Sequence, residues 1–220
     1  LERCVGVDDF AALLDTLRRP MGVEANFGVI DAHGGAAYFE TGNYSYTRYD
    51  MADEPSGILT RTNYSLSGKR DEGYGYIRHD NERTLLQPHI AAADITPATF
   101  TEQLSRTFFH SVLGRDYTDS EQWVVDQDFI PRRISSASIV IESVLPTEPA
   151  SLTTMWVALG YPPCAEVMPA WTGPDGVPDD LRGHGKNNHA KAADRANTRK
   201  NDVFSIRRGN GKYYINKDNH

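Results

Sequence analysis

Two apolar runs flank a Gly-Gly turn: Asn26 to Ala32 before Gly34-Gly35, and Ala36 to Thr41 after it. Runs of this length around a glycine turn predict an antiparallel hairpin, and a hairpin needs a partner layer for its apolar face. Tyr44 to Tyr49 alternates aromatic with polar residues and predicts a third strand, and Gly57 to Thr62 a fourth. Ser135 to Leu145, with Ile139-Val140-Ile141 at its centre, predicts another strand pairing with Leu152 to Leu159. Helical spacing occurs in blocks between these runs. Val7 to Leu17 carries Phe10, Leu13, Leu14 and Leu17 on one stripe, with an Asp expected to cap its start and Arg18-Arg19-Pro20 to end it. After Arg78 the pattern turns helical; Thr96-Pro97 opens a run with Phe100, Leu104, Phe108 and Val112 at helical spacing, closed by Gly114. Tyr117 to Arg133 reads as a long connection, Val167 to Val177 as a loop, and His184 to Asn201 as a surface helix. Phe204 to Arg208 and Lys212 to Ile215 bracket Gly209-Asn210-Gly211 as a final turn. Strands in runs with helices in blocks predict an α+β fold of antiparallel sheets covered by helices, in a single domain over 1–220.

Charge and cysteine usage narrow the chemistry. A formal net charge of -7 argues against a nucleic-acid or anionic-membrane surface. The basic cluster from Lys186 to Arg208 is interleaved with Asn and reads as a solvated helix face. Cys4 and Cys164 do not make a disulfide framework; Cys4 is expected to pack under the first helix and Cys164 to be an ordinary thiol. No Gly-x-Ser-x-Gly elbow and no phosphate loop occurs. His184 and His189 flank Gly-Lys-Asn-Asn without the spacing of a zinc site, so neither a metal nor a cofactor is expected. Asn-Tyr-Ser at Asn43 and again at Asn63 matches the glycosylation pattern, a frequent chance match.

What remains is the stretch Gly57 to Ser65, which ends on Asn63 and Ser65 before a glycine-rich turn. An amide at such a place is positioned either to hold an oxyanion or simply to cap a turn.

Several stretches together resemble the N-terminal-nucleophile (Ntn) amidohydrolases related to choloylglycine hydrolase, penicillin V acylase and the acyl-CoA:6-aminopenicillanate acyltransferases. They are Ala25 to Ala32 with Gly34 to Thr41, Leu59 to Ser65, Tyr76-Ile77-Arg78, and Leu152 to Trp156 with Gly160-Tyr161-Pro162-Pro163. The resemblance implies a four-layer αββα sandwich, here incomplete at the N-terminus and at the C-terminus. It implies a cysteine-dependent hydrolase or acyltransferase acting on linear amide C–N bonds of a small molecule. In that chemistry a mature N-terminal Cys attacks the carbonyl, and its own α-amine, with a pKa of about 7.7–8.0, is the base. Asn63 matches the family's oxyanion Asn, and Arg78 its Arg beside the nucleophile. The nucleophile, with the Arg and Asp that follow it, is expected on a segment or subunit upstream of Leu1, leaving this piece inactive alone. Exposure of Cys4 by removal of Leu1 to Arg3 is the lesser variant. The resemblance also favours a secreted or periplasmic location and leaves a homo-oligomer open. The competing class is a non-catalytic binding or structural domain that retains the sandwich.

Overall fold

The computed structural model describes residues 3–69, 72–120, 123–145, 147–173, 175–184, 187–207 and 213–215. It is α+β, with few helices and several small antiparallel sheets. The chain divides into two compact units, up to His79 and from Asp80 onward. No helix among the described residues is long and apolar enough to cross a membrane.

In the first unit, α1 (Val7–Thr16) buries Val7, Phe10 and Leu14. They pack on Ala37 and Phe39, with Cys4, Phe27 and Val29 beside them. Leu17 falls outside the predicted stripe: it is the C-cap residue, and it is 41% exposed. The cap also differs from expectation. Gly6 occupies the N-cap and has no side chain to offer, so the first-turn donors are satisfied from elsewhere. Asp9 folds back to accept from the backbone N–H of Val5 and Gly6, and Asp31 Oδ2 accepts the N–H of Val7 at 3.0 Å.

The hairpin forms as β1 (Ala25–Ile30) and β2 (Ala36–Thr41), and β3 (Tyr46–Asp50) adds to β2. Phe27 pairs with Phe39 and Asn26 with Glu40, so Phe39 faces α1 while Glu40 and Tyr38 face the other side. Asp31 closes the hairpin turn as well, accepting from the backbone N–H of His33 and Gly35 at 2.8 Å each.

Hydrogen bonds from Val7, Gly35 and His33 hold the Asp31 carboxyl below its usual range. Its contribution to stability is therefore present above the unfolded carboxyl pKa of about 3.9 and is lost as pH falls through the lower folded value. Asp31→Asn is expected to flatten the acid limb of a chemical-denaturation series run between neutral pH and pH 3. An unchanged limb would show that Asp31 does not couple turn, strand and helix.

The predicted fourth strand is absent: residues 58–65 have no ladder hydrogen bonds. Two of their carbonyls are satisfied by one side chain, since Asn26 Nδ2 donates to Thr62 O at 2.8 Å and to Tyr64 O at 3.0 Å. Arg61, in mid-segment, is drawn inward by a buried carboxylate. A run that turns a charge inward and takes its partners from side chains has no need of a neighbouring strand.

α2 (Tyr76–Ala92) runs through the boundary between the units. In the second unit, β6 (Ala137–Glu142), β7 (Thr154–Leu159) and β8 (Val167–Ala170) form an antiparallel sheet in that order, with the β6–β7 pairing the sequence predicts. β8 corrects the loop reading of that segment. Pro169 sits opposite Trp156 on an edge strand, where a missing N–H is tolerated. α3 (Lys191–Val203) packs Ala196 against Ala158 and Ala165. It starts later than predicted because β9 (Gly183–His184) and β10 (His189–Ala190) pair first.

The helix expected from Thr96 to Gly114 shrinks to one π-helical turn, Thr99–Leu104. Beyond it β4 (Phe109–His110) pairs with β5 (Arg115–Asp116), leaving Val112 exposed in the connection. Hydroxyls compete with the helical ladder here: Phe108 N–H donates to Thr118 Oγ1 and Phe109 N–H to Thr107 Oγ1. The described residues of 117–120 and 123–133 are mostly irregular, as expected of a connection. At the end β11 (Ile206–Arg207) pairs with β12 (Tyr213–Tyr214), and the predicted Gly-Asn-Gly turn lies outside the described residues. The unit's core is Phe108, Phe129, Tyr161, Val203, Phe204 and Ile215.

Candidate functional site

Both residues singled out in the sequence belong to the first unit, and the fold brings them into contact. Arg78 Nη2 donates to Asn63 Oδ1 at 2.6 Å. A guanidinium has only donors, so it fixes which end of the amide faces it. Oδ1 is taken by Arg78, and the two N–H bonds of Nδ2 point elsewhere from an exposed residue.

Three further contacts hold the segment carrying Asn63 against the start of α2. Thr62 Oγ1 donates to Gly75 O at 2.8 Å, Thr60 Oγ1 lies 3.0 Å from His79 Nε2, and the Tyr64 and Tyr76 rings meet edge to face at 6.3 Å. Gly75 is required at this joint. Its φ is +96°, and a Cβ there would lie 2.6 Å from Arg78 Nη2 and 2.9 Å from Thr62 Oγ1. Gly75→Ala is expected to cost about 1–3 kcal/mol from backbone strain and to push Arg78 off Asn63. Urea denaturation, together with the NMR shift of the Asn63 side-chain amide, tests both parts. A shift unchanged from wild type would reject the second.

Asn63 lines a cavity of about 720 Å³ with Asn26, Gly28, Tyr38, Arg61, Thr62 and Glu24 among its neighbours. The wall is organised by a buried ion pair. Arg61 Nε lies 2.8 Å from Glu40 Oε1, with the side chains 5% and 2% exposed. The approach is off the N–H direction, so the attraction is Coulombic and not a directed hydrogen bond. Arg61 Nη1 donates to Thr60 O at 2.8 Å, whereas Nη2 is buried with no acceptor. The guanidinium sits over the Tyr49 ring at 4.3 Å and the Tyr38 ring at 5.3 Å. Burial pushes the Glu40 carboxyl up. Hydrogen bonds from Ser67, Leu66 and Ser65 outweigh it, and the net shift is downward. Glu40 is ionised at neutral pH.

Within the first unit, Tyr38 is the aromatic among the lining residues, and Tyr64, Tyr74 and Tyr76 are not among them. Cys4 packs under α1, as read. Cys164, in the second unit, is half-buried, and burial raises its thiol pKa despite Arg199 and Arg106. His184 and His189 pair across β9 and β10 and contact Asp179 and Asp194 respectively. Among the described residues no group of three or more His, Cys, Asp or Glu side chains is placed to hold a metal ion. The sequence reading missed Glu40 and Arg61. The available signal was a carboxylate closing an apolar strand and a cation inside Ile58 to Thr62, two charges that need one another once buried.

No family model, curated protein or solved structure matches the chain.

Proposed function

We propose that this chain is the larger part of an Ntn-type αββα sandwich and supplies the oxyanion-holding side of a cysteine-dependent amidohydrolase or acyltransferase acting on linear amides. The observation that carries the reading is the Arg78–Asn63 contact at the cavity. It orders the amide and leaves Nδ2 as a free, pre-oriented donor. Support for the sandwich comes from the layering within each unit, α1 on β1–β3 and α3 on β6–β8.

In this chemistry a thiolate adds to the amide carbonyl, and the negative charge that develops on oxygen is met by Asn63 Nδ2. The α-amine that took the thiol proton passes it to the leaving nitrogen as the C–N bond breaks. Water or a second amine then takes the acyl group from sulfur. Arg78 is a positioning residue, acting through Asn63. The nucleophile is proposed to come from the N-terminus of a segment upstream of this chain.

Replacement of Asn63 in the full-length protein tests the reading, and unchanged kcat on a good amide substrate rejects it. Cys4, the cysteine of the same unit, is not among the cavity's lining residues, which favours as second reading a binding domain without catalysis. The upstream coding sequence separates the two: a Cys followed by Arg and Asp, placed to become N-terminal, supports the enzyme.

A further inference from the structure

We propose that Arg133, Lys200 and Arg207 form a binding site for a small phosphate dianion, either inorganic phosphate or the phosphate group of a small monoester. The site belongs to the second unit and is independent of the amidase reading.

The three cations come from separate stretches that folding brings together. Arg207 is the register partner of Tyr213 across β11 and β12, and its Cζ lies 5.5 Å from the centre of the Tyr213 ring. Arg133 Cζ lies over the same ring at 4.0 Å. Lys200, in the last turn of α3, is close enough to Arg133 to feel its charge. Tyr213 packs against the core of the unit, and Asp126 holds the Arg133 backbone by accepting its N–H.

The chain supplies these three with no counter-charge. The other cations of α3 all meet carboxylates: Lys191 meets Asp179, Arg195 meets Glu166 and Asp180, and Arg199 meets Glu166. The side chains of Arg133, Lys200 and Arg207 make no hydrogen bond or ion pair among the described residues. The two guanidinium groups share one ring, so they stand within a Debye length of about 10 Å and repel each other. A lysine in a last helical turn gains from the helix's negative end. Burial and Arg133 nevertheless hold the Lys200 ammonium pKa below its ordinary value. Cys164 is the other titratable group beside Lys200, and Arg199, Arg106 and Asp202 act on that thiol in turn.

Charge and shape select the ligand. Three cations less the nearby Asp126 carboxylate leave two positive charges, which a phosphate dianion matches and a single carboxylate does not. Each guanidinium can give two parallel N–H bonds to phosphate oxygens, and the ammonium adds a point charge. Arg207 is exposed, and Arg133 and Lys200 are half-buried, so a solute can reach all three.

The experiment is an NMR titration of the ¹⁵N-labelled full-length protein with sodium phosphate, phenyl phosphate and sodium acetate at fixed ionic strength. At about pH 7.5 a phosphate monoester, with a second pKa of about 6, is a dianion. Both phosphates are expected to move the Arg133, Lys200 and Arg207 side-chain signals saturably, with acetate binding about tenfold more weakly. The tighter of the two phosphates identifies the source, free anion or monoester, and either order supports the site. Saturation with phosphate should also raise the Lys200 ammonium pKa, because a bound anion favours the charged form. Arg133→Gln and Lys200→Gln should each weaken phosphate about tenfold. If those variants do not fold, Arg207→Gln, at an exposed position, carries the same expectation. Equal binding of acetate, no saturable response to either phosphate, or an affinity unchanged in the folded variants overturns the proposal. None of these outcomes touches the amidase reading, which rests on the Asn63 kinetics.

Discussion

Glu40→Ala is expected to destabilise the first unit by about 3–5 kcal/mol, the usual cost of removing one member of a buried ion pair. The loss is more than one contact. Glu40 accepts from Ser65 Oγ, from the backbone N–H of Leu66 and from that of Ser67, and it balances Arg61. Without the carboxylate, Arg61 is left as a charged side chain 5% exposed, with Thr60 O as its remaining acceptor. Segment 58–67 has no strand ladder to fall back on, so it should detach from the sheet face. Urea denaturation of wild type and variant measures the loss, and a difference below about 1 kcal/mol would place the pair among inconsequential surface ones. The same carboxyl contributes to acid sensitivity. Because its folded pKa is lowered, the stability it supplies is present above the unfolded Glu value of about 4.3 and disappears as pH falls through the folded value.

Asn63→Ala in the full-length protein is expected to lower kcat by about 10²–10³, equivalent to about 2.7–4 kcal/mol of transition-state stabilisation. KM should change little, because the donor meets charge that develops only during reaction. Asn63 is exposed, so the substitution should leave the urea midpoint near wild type. Asn63→Asp sharpens the test. A carboxylate there keeps the partner for Arg78 and even strengthens it, yet offers no N–H to an oxyanion. If Asn63 only anchors α2, Asp preserves activity; if it holds the oxyanion, Asp is as damaging as Ala.

Those two outcomes bear on how much the amino-acid order discloses. The hairpin around Gly34-Gly35, the third strand, and the β6–β7 pairing are legible because side-chain alternation and turn residues are local signals. β8 was hidden by Pro169, and the stretch from Thr96 to Gly114 misled because apolar spacing there competes with Thr107 and Thr118 hydroxyls that take the backbone donors. Asn63 stood out as an amide at the end of its stretch, Arg78 through family resemblance, and their contact was not legible from spacing.

The sequence by itself determined the α+β class, the antiparallel pairing of its main strands, and the formal net charge of -7. Tertiary structure alone decided that 58–65 is a wall and not a strand. It also decided that Glu40 and Arg61 meet in the interior and that the Asn63 amide has one defined orientation. The reason is physical. Strand and turn preferences are summed over neighbours along the chain, whereas a buried ion pair and an aimed amide depend on partners that only folding brings within 3 Å, at 2.8 and 2.6 Å here.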